Sequence, residues 1–209
     1  MDLTKFYQHK NRLFYNPRNE LIAKRAGLRR LIAYDDRFVT VSRKLDDLVN
    51  EKFSKFPVRI LDVGIGDAVY ESMLSPNTLK KTEIYGIDIS RKQLDRAKSF
   101  LKEGKIVDLD HENIPYKPNF FNIVIISELL EHVFYPEKIL NEAKRVLKEK
   151  GFLIITFPNS GALQLRLSLL FTGCSPLLNY TQNKEHIRFF TKNDIMEIVS
   201  GKVHLIEYQ

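Results

Sequence analysis

The run Arg59-Ile-Leu-Asp-Val-Gly-Ile-Gly-Asp-Ala68 constrains the fold of this chain most strongly, because an apolar strand passes directly into a Gly-x-Gly turn. A second apolar run, Ile84-Tyr-Gly-Ile-Asp-Ile89, carries the acid Asp88, 22 residues after Gly66. In parallel α/β sheets such glycines let the backbone approach a ligand, and the acid accepts hydrogen bonds from ribose hydroxyls. The two strands therefore predict a nucleotide-type cofactor site at the carboxyl ends of a parallel sheet.

The charges around this turn distinguish two classes of cofactor. The pyrophosphate of a dinucleotide needs free N–H groups at a helix N-terminus and no nearby carboxylate. Asp62 lies two residues before Gly64 and Asp67 lies inside the turn, so we expect the site to repel phosphate and to accept a sulfonium and an ammonium. The third glycine of a dinucleotide motif would fall on Val69, whose branched side chain we expect to separate helix from strand. A P-loop is excluded because the turn has no Gly-Lys-Ser/Thr.

At these motifs the chain resembles the class I S-adenosylmethionine-dependent methyltransferases. The acid and glycines of the turn match the first motif of that family, Asp88 matches its acid after the second strand, and Asp108-Leu109 is similar to its adenine-side motif. Ala68 is a departure, since the family usually has a third glycine there. The resemblance covers residues 57–208 and implies S-adenosylmethionine as the cofactor. The residues that we assign to the cofactor site are Asp62, Gly64, Gly66, Asp88, Ile89, Asp108, Leu109 and Ser127.

The resemblance also implies a role for the main residues of this set. It implies that Asp88 binds the ribose hydroxyls and that Gly64 and Gly66 admit the methionine part. It further implies that Asp62 orients the turn and the amino group, and that Asp108-Leu109 meets the adenine.

Strand and helix patterns alternate along the chain after residue 57, which is typical of a parallel sheet covered by helices on both faces. We predict an α/β fold with a Rossmann-like, doubly wound, mostly parallel sheet and an N-terminal helical extension. Residues 1–56 would form a basic helical segment that covers the cleft as part of the same domain, and residues 57–209 the S-adenosylmethionine-binding methyltransferase domain. The predicted strands are 58–63, 83–87, 105–107, 121–126, 152–157 and 203–208, and the predicted helices are 19–33, 39–53, 136–149 and a short one after a capping box at Thr191.

The helix over 136–149 has the clearest pattern. Proline stands in its first turn, apolar residues recur on one face, and Gly151 stands just past its predicted end. We therefore expect one face of this helix to pack against the core.

Composition limits the protein class and its compartment. The 209 residues, 44% of them hydrophobic and 28% charged, suit one soluble globular core. No apolar run has the length needed to cross a bilayer. The single cysteine, Cys174, precludes an internal disulfide and suits a reducing compartment. We expect a cytoplasmic protein without a membrane span.

The positive charge is concentrated near the N-terminus. Residues 1–56 contain 13 Lys/Arg and 7 Asp/Glu, a net of +6 out of the +7 of the whole chain. Clusters such as Lys24-Arg25 and Arg29-Arg30, with interleaved aromatic residues, could bind RNA or an anionic surface. A solvated basic helix face is the other interpretation.

The segment Ser127-Glu-Leu-Leu-Glu-His132 follows the fourth predicted strand. Its residues Glu128, Glu131 and His132 have i, i+3 and i+4 spacing, so a helical turn would place them on one face. The element resembles the Glu-x-x-Glu-His of ubiquinone-type O-methyltransferases and small-RNA 2′-O-methyltransferases, in which a downstream histidine completes a divalent metal site. His186 has the comparable position here.

On this resemblance we predict catalytic roles for Glu128, His132 and His186, facing the acceptor. A divalent metal bound by these residues and Glu131 is one alternative. Hydrogen-bonded structure without a metal is the other and the more common arrangement, so no metal is assigned.

A looser resemblance implies a second class of function. The segments Phe157-Pro-Asn-Ser, Leu165-Arg-Leu-Ser-Leu-Leu and His186-Ile-Arg-Phe-Phe-Thr are similar to the methionine-biosynthesis W family, whose members act with a homoserine acyltransferase partner.

The leading hypothesis is methyl transfer to oxygen or nitrogen of an unidentified small-molecule acceptor, with residues 161–181 as an acceptor lid or an ordinary core helix. The alternatives are a non-catalytic, cofactor-binding protein partner and a metal-assisted RNA methyltransferase.

Overall fold

The computed structural model describes residues 36–173 and 185–200 of the chain. Several predicted features lie outside these residues: the helix over 19–33, the basic clusters at Lys24-Arg25 and Arg29-Arg30, Cys174, the end of the lid segment at 174–181, and the strand over 203–208.

Five parallel strands form one sheet, as the alternating pattern predicted. The strands are β1 (Val58–Val63), β2 (Thr82–Asp88), β3 (Glu103–Ile106), β4 (Phe121–Ser127) and β5 (Leu147–Thr156). Their order across the sheet is β3-β2-β1-β4-β5, so the direction of winding reverses between β1 and β4. In such sheets ligands bind at the carboxyl ends of the strands beside this reversal. The Rossmann-like α/β fold is therefore confirmed.

Helices cover both faces of the sheet. They are α1 (Asp36–Glu51), α2 (Val69–Ser72), α3 (Pro76–Lys81), α4 (Arg91–Ala97), α5 (Pro136–Val146), α6 (Leu163–Thr172) and α7 (Lys192–Val199), with a 3-10 helix at Leu130–His132. Helix α1 corresponds to the predicted helix over 39–53, and its buried residues Leu45 and Val49 pack on the β1 side chains Val58 and Ile60. None of the described helices combines the length and apolarity that crossing a bilayer requires.

Helix α7 begins at the capping box that the sequence predicted. The hydroxyl of Thr191 accepts a hydrogen bond from the backbone N–H of Asp194 at 3.3 Å. The Asp194 carboxylate accepts from the backbone N–H of Thr191 at 2.6 Å. These reciprocal bonds satisfy donors that the first helical turn would otherwise leave open.

Helix α5 ends at Val146, which is three residues earlier than predicted. The backbone N–H groups of Asn119 and Phe120 donate to the carbonyls of Arg145 and Val146 at 3.0 and 2.8 Å. The loop before β4 supplies these donors, so the last carbonyls of the helix are satisfied. The helix can therefore end at Val146. The prediction that the helix continues to residue 149 is wrong for this reason.

Strand β5 is longer and less regular than predicted. Leu147 pairs with Phe121, but the next paired residue of β5 is Phe152, so β5 has extra residues opposite β4. Gly151 lies inside this irregular part. A Cβ atom there would come within 2.7 Å of Leu147 Cδ1 and 2.9 Å of the Asn122 carbonyl oxygen. The prediction that Gly151 follows the end of a helix is wrong, because this glycine permits a close approach within the sheet.

Candidate active site

The Gly-x-Gly turn between β1 and α2 adopts left-handed backbone conformations. Gly64, Gly66 and Ala68 have φ values of 78°, 55° and 54°. The N–H of Gly64 donates to the carbonyl of Ile87 at 2.8 Å, which fixes the turn against the end of β2. A side chain at position 64 would be strained by its φ and would meet Leu129 Cδ1 at 3.2 Å. The turn itself therefore requires the first glycine.

The second glycine faces open space beside Asp88. A Cβ atom on Gly66 would meet only the Gly64 carbonyl oxygen, at 4.0 Å. The N–H of Gly66 donates to Oδ2 of Asp88 at 3.0 Å, and the N–H of Ser90 donates to Oδ1 at 2.7 Å. A carboxylate has about four acceptor positions, so both oxygens of Asp88 can accept further bonds from a ribose diol. The turn and Asp88 thus fit an adenosyl ligand.

The pKa of Asp88 is raised from its ordinary value. Burial is the largest cause, and the nearby charge of Asp67 acts in the same direction. The hydrogen bonds from Ser90 and Gly66 act in the opposite direction, because they favour the ionised form. Donors from a ligand would favour the ionised form further.

The structure tests the predicted roles of Asp67 and Val69. The Asp67 carboxylate lies 2.9 Å from Nη1 of Arg96, so an ion pair compensates its charge. Val69 is 37% exposed and does not separate α2 from the sheet, whereas the preceding Ala68 is fully buried. The expectation for Val69 is wrong. The charge of Asp67 is partly compensated by Arg96 but still raises the pKa of Asp88, and Asp62 is the fully buried acid of this segment.

Asp62 forms a buried carboxyl pair with Glu71, a residue of α2 that no sequence motif indicated. Each of the two residues is 1% exposed, and Oδ2 of Asp62 and both oxygens of Glu71 are buried without a hydrogen-bond partner among the described residues. Burial, followed by the negative charge of Glu71, raises the pKa of Asp62 well above its ordinary value. Burial also raises the pKa of Glu71. A hydrogen bond between two carboxyl groups requires one of them to be protonated.

The predicted adenine-side residues lie in the loop after β3. Oδ2 of Asp108 lies 3.0 Å from Nδ1 of His111, so this carboxylate is directed into its own loop. Leu109 is buried, whereas Ile89, after β2, is 53% exposed. The parallel register of β2 and β3 brings both loops to the same edge of the sheet. Contacts of Asp108, Leu109 and Ile89 with the cofactor stay predictions.

Hydroxyl groups join the carboxyl ends of β4 and β5. The Ser127 hydroxyl hydrogen-bonds to the phenol of Tyr70 and lies 2.6 Å from Oγ1 of Thr156. Thr156 in turn donates to Oε1 of Glu128 at 3.2 Å. Ser127 therefore lies in a polar chain between α2 and β5.

Glu128 does not share a helical face with Glu131 and His132. Its φ of 48° is left-handed, and the 3-10 helix begins only at Leu130. The prediction that one helical turn aligns the three side chains is wrong, because the chain turns sharply at Glu128 before the helix starts.

The structure does bring Glu131, His132 and His186 together. Each offers one potential ligand atom, and these atoms lie within 4.8 Å of one another. Glu131 is 2% exposed, and its Oε1 lies 3.8 Å from Nε2 of His132. The rings of the two histidines have their centroids 4.7 Å apart. We call these three residues the Glu-His-His cluster.

Backbone contacts hold the Glu-His-His cluster in place. The N–H groups of Ile187 and Arg188 donate to the carbonyl of Glu131 at 2.9 and 3.2 Å, which fixes the segment that carries His186. Nδ1 of His132 lies 3.1 Å from the Glu185 carbonyl oxygen. A carbonyl can only accept, so Nδ1 of His132 carries a proton.

Three residues of the site carry no recognisable sequence motif. Glu71 and Tyr70 belong to α2, which has only four residues and therefore no helical periodicity. Thr156 lies at the end of β5, in an apolar strand. The sequence signal that could have indicated Glu71 is its position as an acid shortly after the Gly-x-Gly turn.

Comparisons with known proteins agree with this geometry. A family model described as "Methyltransferase domain" matches residues 61–155. An uncharacterized protein of Methanocaldococcus jannaschii is 38% identical over 127 residues, which cover 56% of this chain and 52% of that protein. The mitochondrial ubiquinone biosynthesis O-methyltransferase of Saccharomyces cerevisiae is 27% identical over 183 residues, which cover 80% of this chain and 56% of that one. The chain spans about half the length of these curated relatives.

Solved structures have the same fold. A crystal structure of an S-adenosylmethionine-dependent methyltransferase from Aquifex aeolicus matches with a TM-score of 0.51 at 22% identity, covering 78% of this chain and 86% of that one. The parallel sheet, the glycine turn beside Asp88 and the family match agree. Residues 61–155 therefore match the methyltransferase domain family, and the described residues have the same fold as a solved S-adenosylmethionine-dependent methyltransferase.

Proposed function

We propose that this protein transfers a methyl group from S-adenosylmethionine to an oxygen or nitrogen of a small-molecule acceptor. The observation that carries the proposal is the glycine turn beside Asp88, in which Gly66 faces open space and both carboxylate oxygens can accept further bonds. The similarity to a ubiquinone biosynthesis O-methyltransferase supports a small-molecule acceptor.

In the bound state the cofactor supplies a methyl group on a positively charged sulfur, which is open to in-line attack by an acceptor lone pair. Asp88 would hold the ribose hydroxyls, and Asp62 would attract the ammonium. The residues of this chain thus fix the geometry of the reaction rather than form a covalent bond.

Several residues would complete the site around the cofactor and the acceptor. Asp108, Leu109 and Ile89 would border the adenine, and Ser127 would border the methionine part. Glu128, His132 and His186 would face the acceptor, where an imidazole or a carboxylate suits a general base for an acceptor proton.

Transfer of labelled methyl groups tests this proposal. The protein is incubated with methyl-labelled S-adenosylmethionine and a cell extract, which is then separated into small molecules, RNA and protein. We expect label in the small-molecule fraction. Label confined to RNA or to protein, or no transfer with any fraction, would contradict the proposed acceptor class.

The Glu-His-His cluster favours a more specific form of this function, in which a divalent metal assists attack by a hydroxyl. One carboxylate and two imidazoles converge there, with potential ligand atoms within 4.8 Å of one another, and this set of donors suits a shared divalent cation. Glu131, His132 and His186 would hold the ion, and Glu128, which bonds to Thr156, would not. A metal bound there would polarise an acceptor hydroxyl.

We expect the purified protein to bind Mn²⁺ or Zn²⁺ with a stoichiometry near one, and His186→Ala to lose most of that binding. Removal of one of three ligands weakens a metal site strongly, whereas His111→Ala, at an exposed histidine outside the cluster, provides a matched control. Metal content by mass spectrometry and methyl transfer before and after chelation are the measurements. An unchanged metal content in His186→Ala, or activity insensitive to chelation, would contradict a metal in this cluster.

The same purified protein also allows two other functions to be tested. An RNA methyltransferase would use the basic clusters of residues 1–56, so its RNA binding would weaken steeply with salt and on neutralising Arg29 and Arg30. A cofactor-binding partner of an acyltransferase would bind S-adenosylmethionine without turnover and copurify with that enzyme.

A further inference from the structure

The buried pair of Asp62 and Glu71 supports an inference that rests on the proposed function and extends it. We propose that the two carboxyl groups hold one shared proton in the free protein, and that docking of the ammonium of the methionine part drives that proton into solvent. Cofactor affinity then rises with pH. Glu71 is a positioning residue in this account, since it acts on the ammonium through Asp62.

The lack of hydrogen-bond donors to the pair among the described residues supports one shared proton. As carboxylates, Oδ2 of Asp62 and both oxygens of Glu71 have no hydrogen-bond donor among the described residues. Two adjacent carboxylates without donors would repel each other in a buried site, and a proton between them removes the repulsion. One negative charge then remains on the pair, and this charge attracts a cation.

The position of the pair favours the ammonium as that cation. Asp62 lies near the carboxyl end of β1, two residues before Gly64, and Glu71 lies in the helix that follows the turn. The two carboxyl groups thus come from the elements on either side of the glycine turn. Because the ammonium is positive, its arrival lowers the proton affinity of the pair.

Among the described residues, no cation contributes to the pKa shift of either carboxyl group. Asp88, from β2, adds negative charge and raises the pKa of Asp62. Asp67, in the turn, is paired with Arg96 on α4. From α1 the neighbouring polar group is the Ser42 hydroxyl, which donates to the Tyr70 carbonyl. From β4 it is the Ser127 hydroxyl, which bonds to the Tyr70 phenol.

The sign of the pH effect on the free protein follows from the raised pKa values. Burial raises the pKa of both carboxyl groups above the values of the unfolded chain. Their contribution to folding stability is therefore fully present below the ordinary carboxyl pKa and is lost as the pH rises through the raised values. The bound ammonium stabilises the ionised pair, so ligand and proton oppose each other.

Calorimetric titration with two ligands tests the proposal. S-adenosylhomocysteine carries the amino acid part, whereas 5′-methylthioadenosine has the same adenosine without it. Titrations at pH 6, 7 and 8 in phosphate and in Tris give the number of protons released. We expect S-adenosylhomocysteine to release a larger fraction of a proton than 5′-methylthioadenosine, with affinity rising by up to about tenfold per pH unit when a whole proton leaves. Because both ligands have the ribose, their difference removes any contribution of Asp88.

Substitutions in the pair test whether the released proton comes from Asp62 and Glu71. We expect Glu71→Gln to abolish the extra release, because its amide can donate to an ionised Asp62 and no proton is shared. Glu137→Gln, at an exposed acid of α5, is the matched control and should release as the wild type does. Asp62→Asn provides the same test if Glu71→Gln fails to fold, and the two-ligand comparison needs no variant.

The outcomes separate this inference from the proposed function. Equal proton release with the two ligands, or unchanged release in Glu71→Gln, would overturn the shared proton while leaving the cofactor site intact. No binding of either ligand would overturn the proposed function itself.

Discussion

Substitution of Asp88 by alanine is expected to weaken binding of S-adenosylhomocysteine by about 1.5–3 kcal/mol, or about 10- to 150-fold in Kd. The carboxylate would accept charge-assisted hydrogen bonds from the ribose hydroxyls, and these have no substitute acceptor at the end of β2. The N–H groups of Gly66 and Ser90 also lose their acceptor, at 3.0 and 2.7 Å in the wild type, which loosens the turn. Isothermal titration at pH 7.5 measures the change.

Two further variants make this prediction specific. Asp88→Asn keeps one acceptor oxygen and the size of the side chain, so its affinity should lie between those of the wild type and Asp88→Ala. Asp95→Ala removes an exposed acid of α4 and should bind as the wild type does. Wild-type affinity in Asp88→Ala, with an unchanged thermal unfolding midpoint, would place the ribose elsewhere.

The cofactor side of the domain was predictable because its determinants are local in sequence. The glycines that adopt positive φ directly follow the short apolar strand β1, and the acid stands at the end of β2. Strand β1 was predicted with its observed bounds, Val58–Val63. Local propensity and spacing set these features, so one strand–turn–strand segment contains the information.

The remaining parts of the site depend on tertiary contacts. Glu71 is as buried as Asp62, but the four residues of α2 leave no periodic pattern to indicate which side of that helix is buried. Asp67 was predicted to direct its charge at a ligand, but Arg96, 29 positions away, pairs with it. The i, i+3, i+4 spacing at Glu128 predicted a helix that a single left-handed residue prevents. Each difference from the prediction came from a partner or a backbone angle that spacing alone does not determine.

Gly151 was predicted to follow the end of a helix, but it lies inside β5. Its substitution is expected to have a large effect on stability. Gly151→Ala is expected to lower the free energy of unfolding by about 1–3 kcal/mol, the usual cost of overpacking. Its Cβ atom would lie 2.7 Å from Leu147 Cδ1 and 2.9 Å from the Asn122 carbonyl oxygen. The side chain of Leu147 can move, whereas the Asn122 carbonyl belongs to β4 and cannot move without disturbing the strand. Urea denaturation measures the change.

A double-mutant cycle separates the contact of position 151 with Leu147 from its contact with the Asn122 carbonyl. Leu147→Ala removes the atom nearest to the new methyl group, so Gly151→Ala should cost at least about 0.5 kcal/mol less in that background. Gly173→Ala is the control, because Gly173 has a φ of 66° and a Cβ atom there would meet nothing within 4 Å, so its cost of about 1 kcal/mol reflects backbone strain alone. That cost should be the same with Leu147 or alanine at position 147. Additive costs for Gly151→Ala and Leu147→Ala would mean that the Leu147 side chain does not limit position 151, and the contact with the Asn122 carbonyl of β4 would then account for the cost. An unchanged free energy of unfolding in Gly151→Ala would contradict crowding at this position.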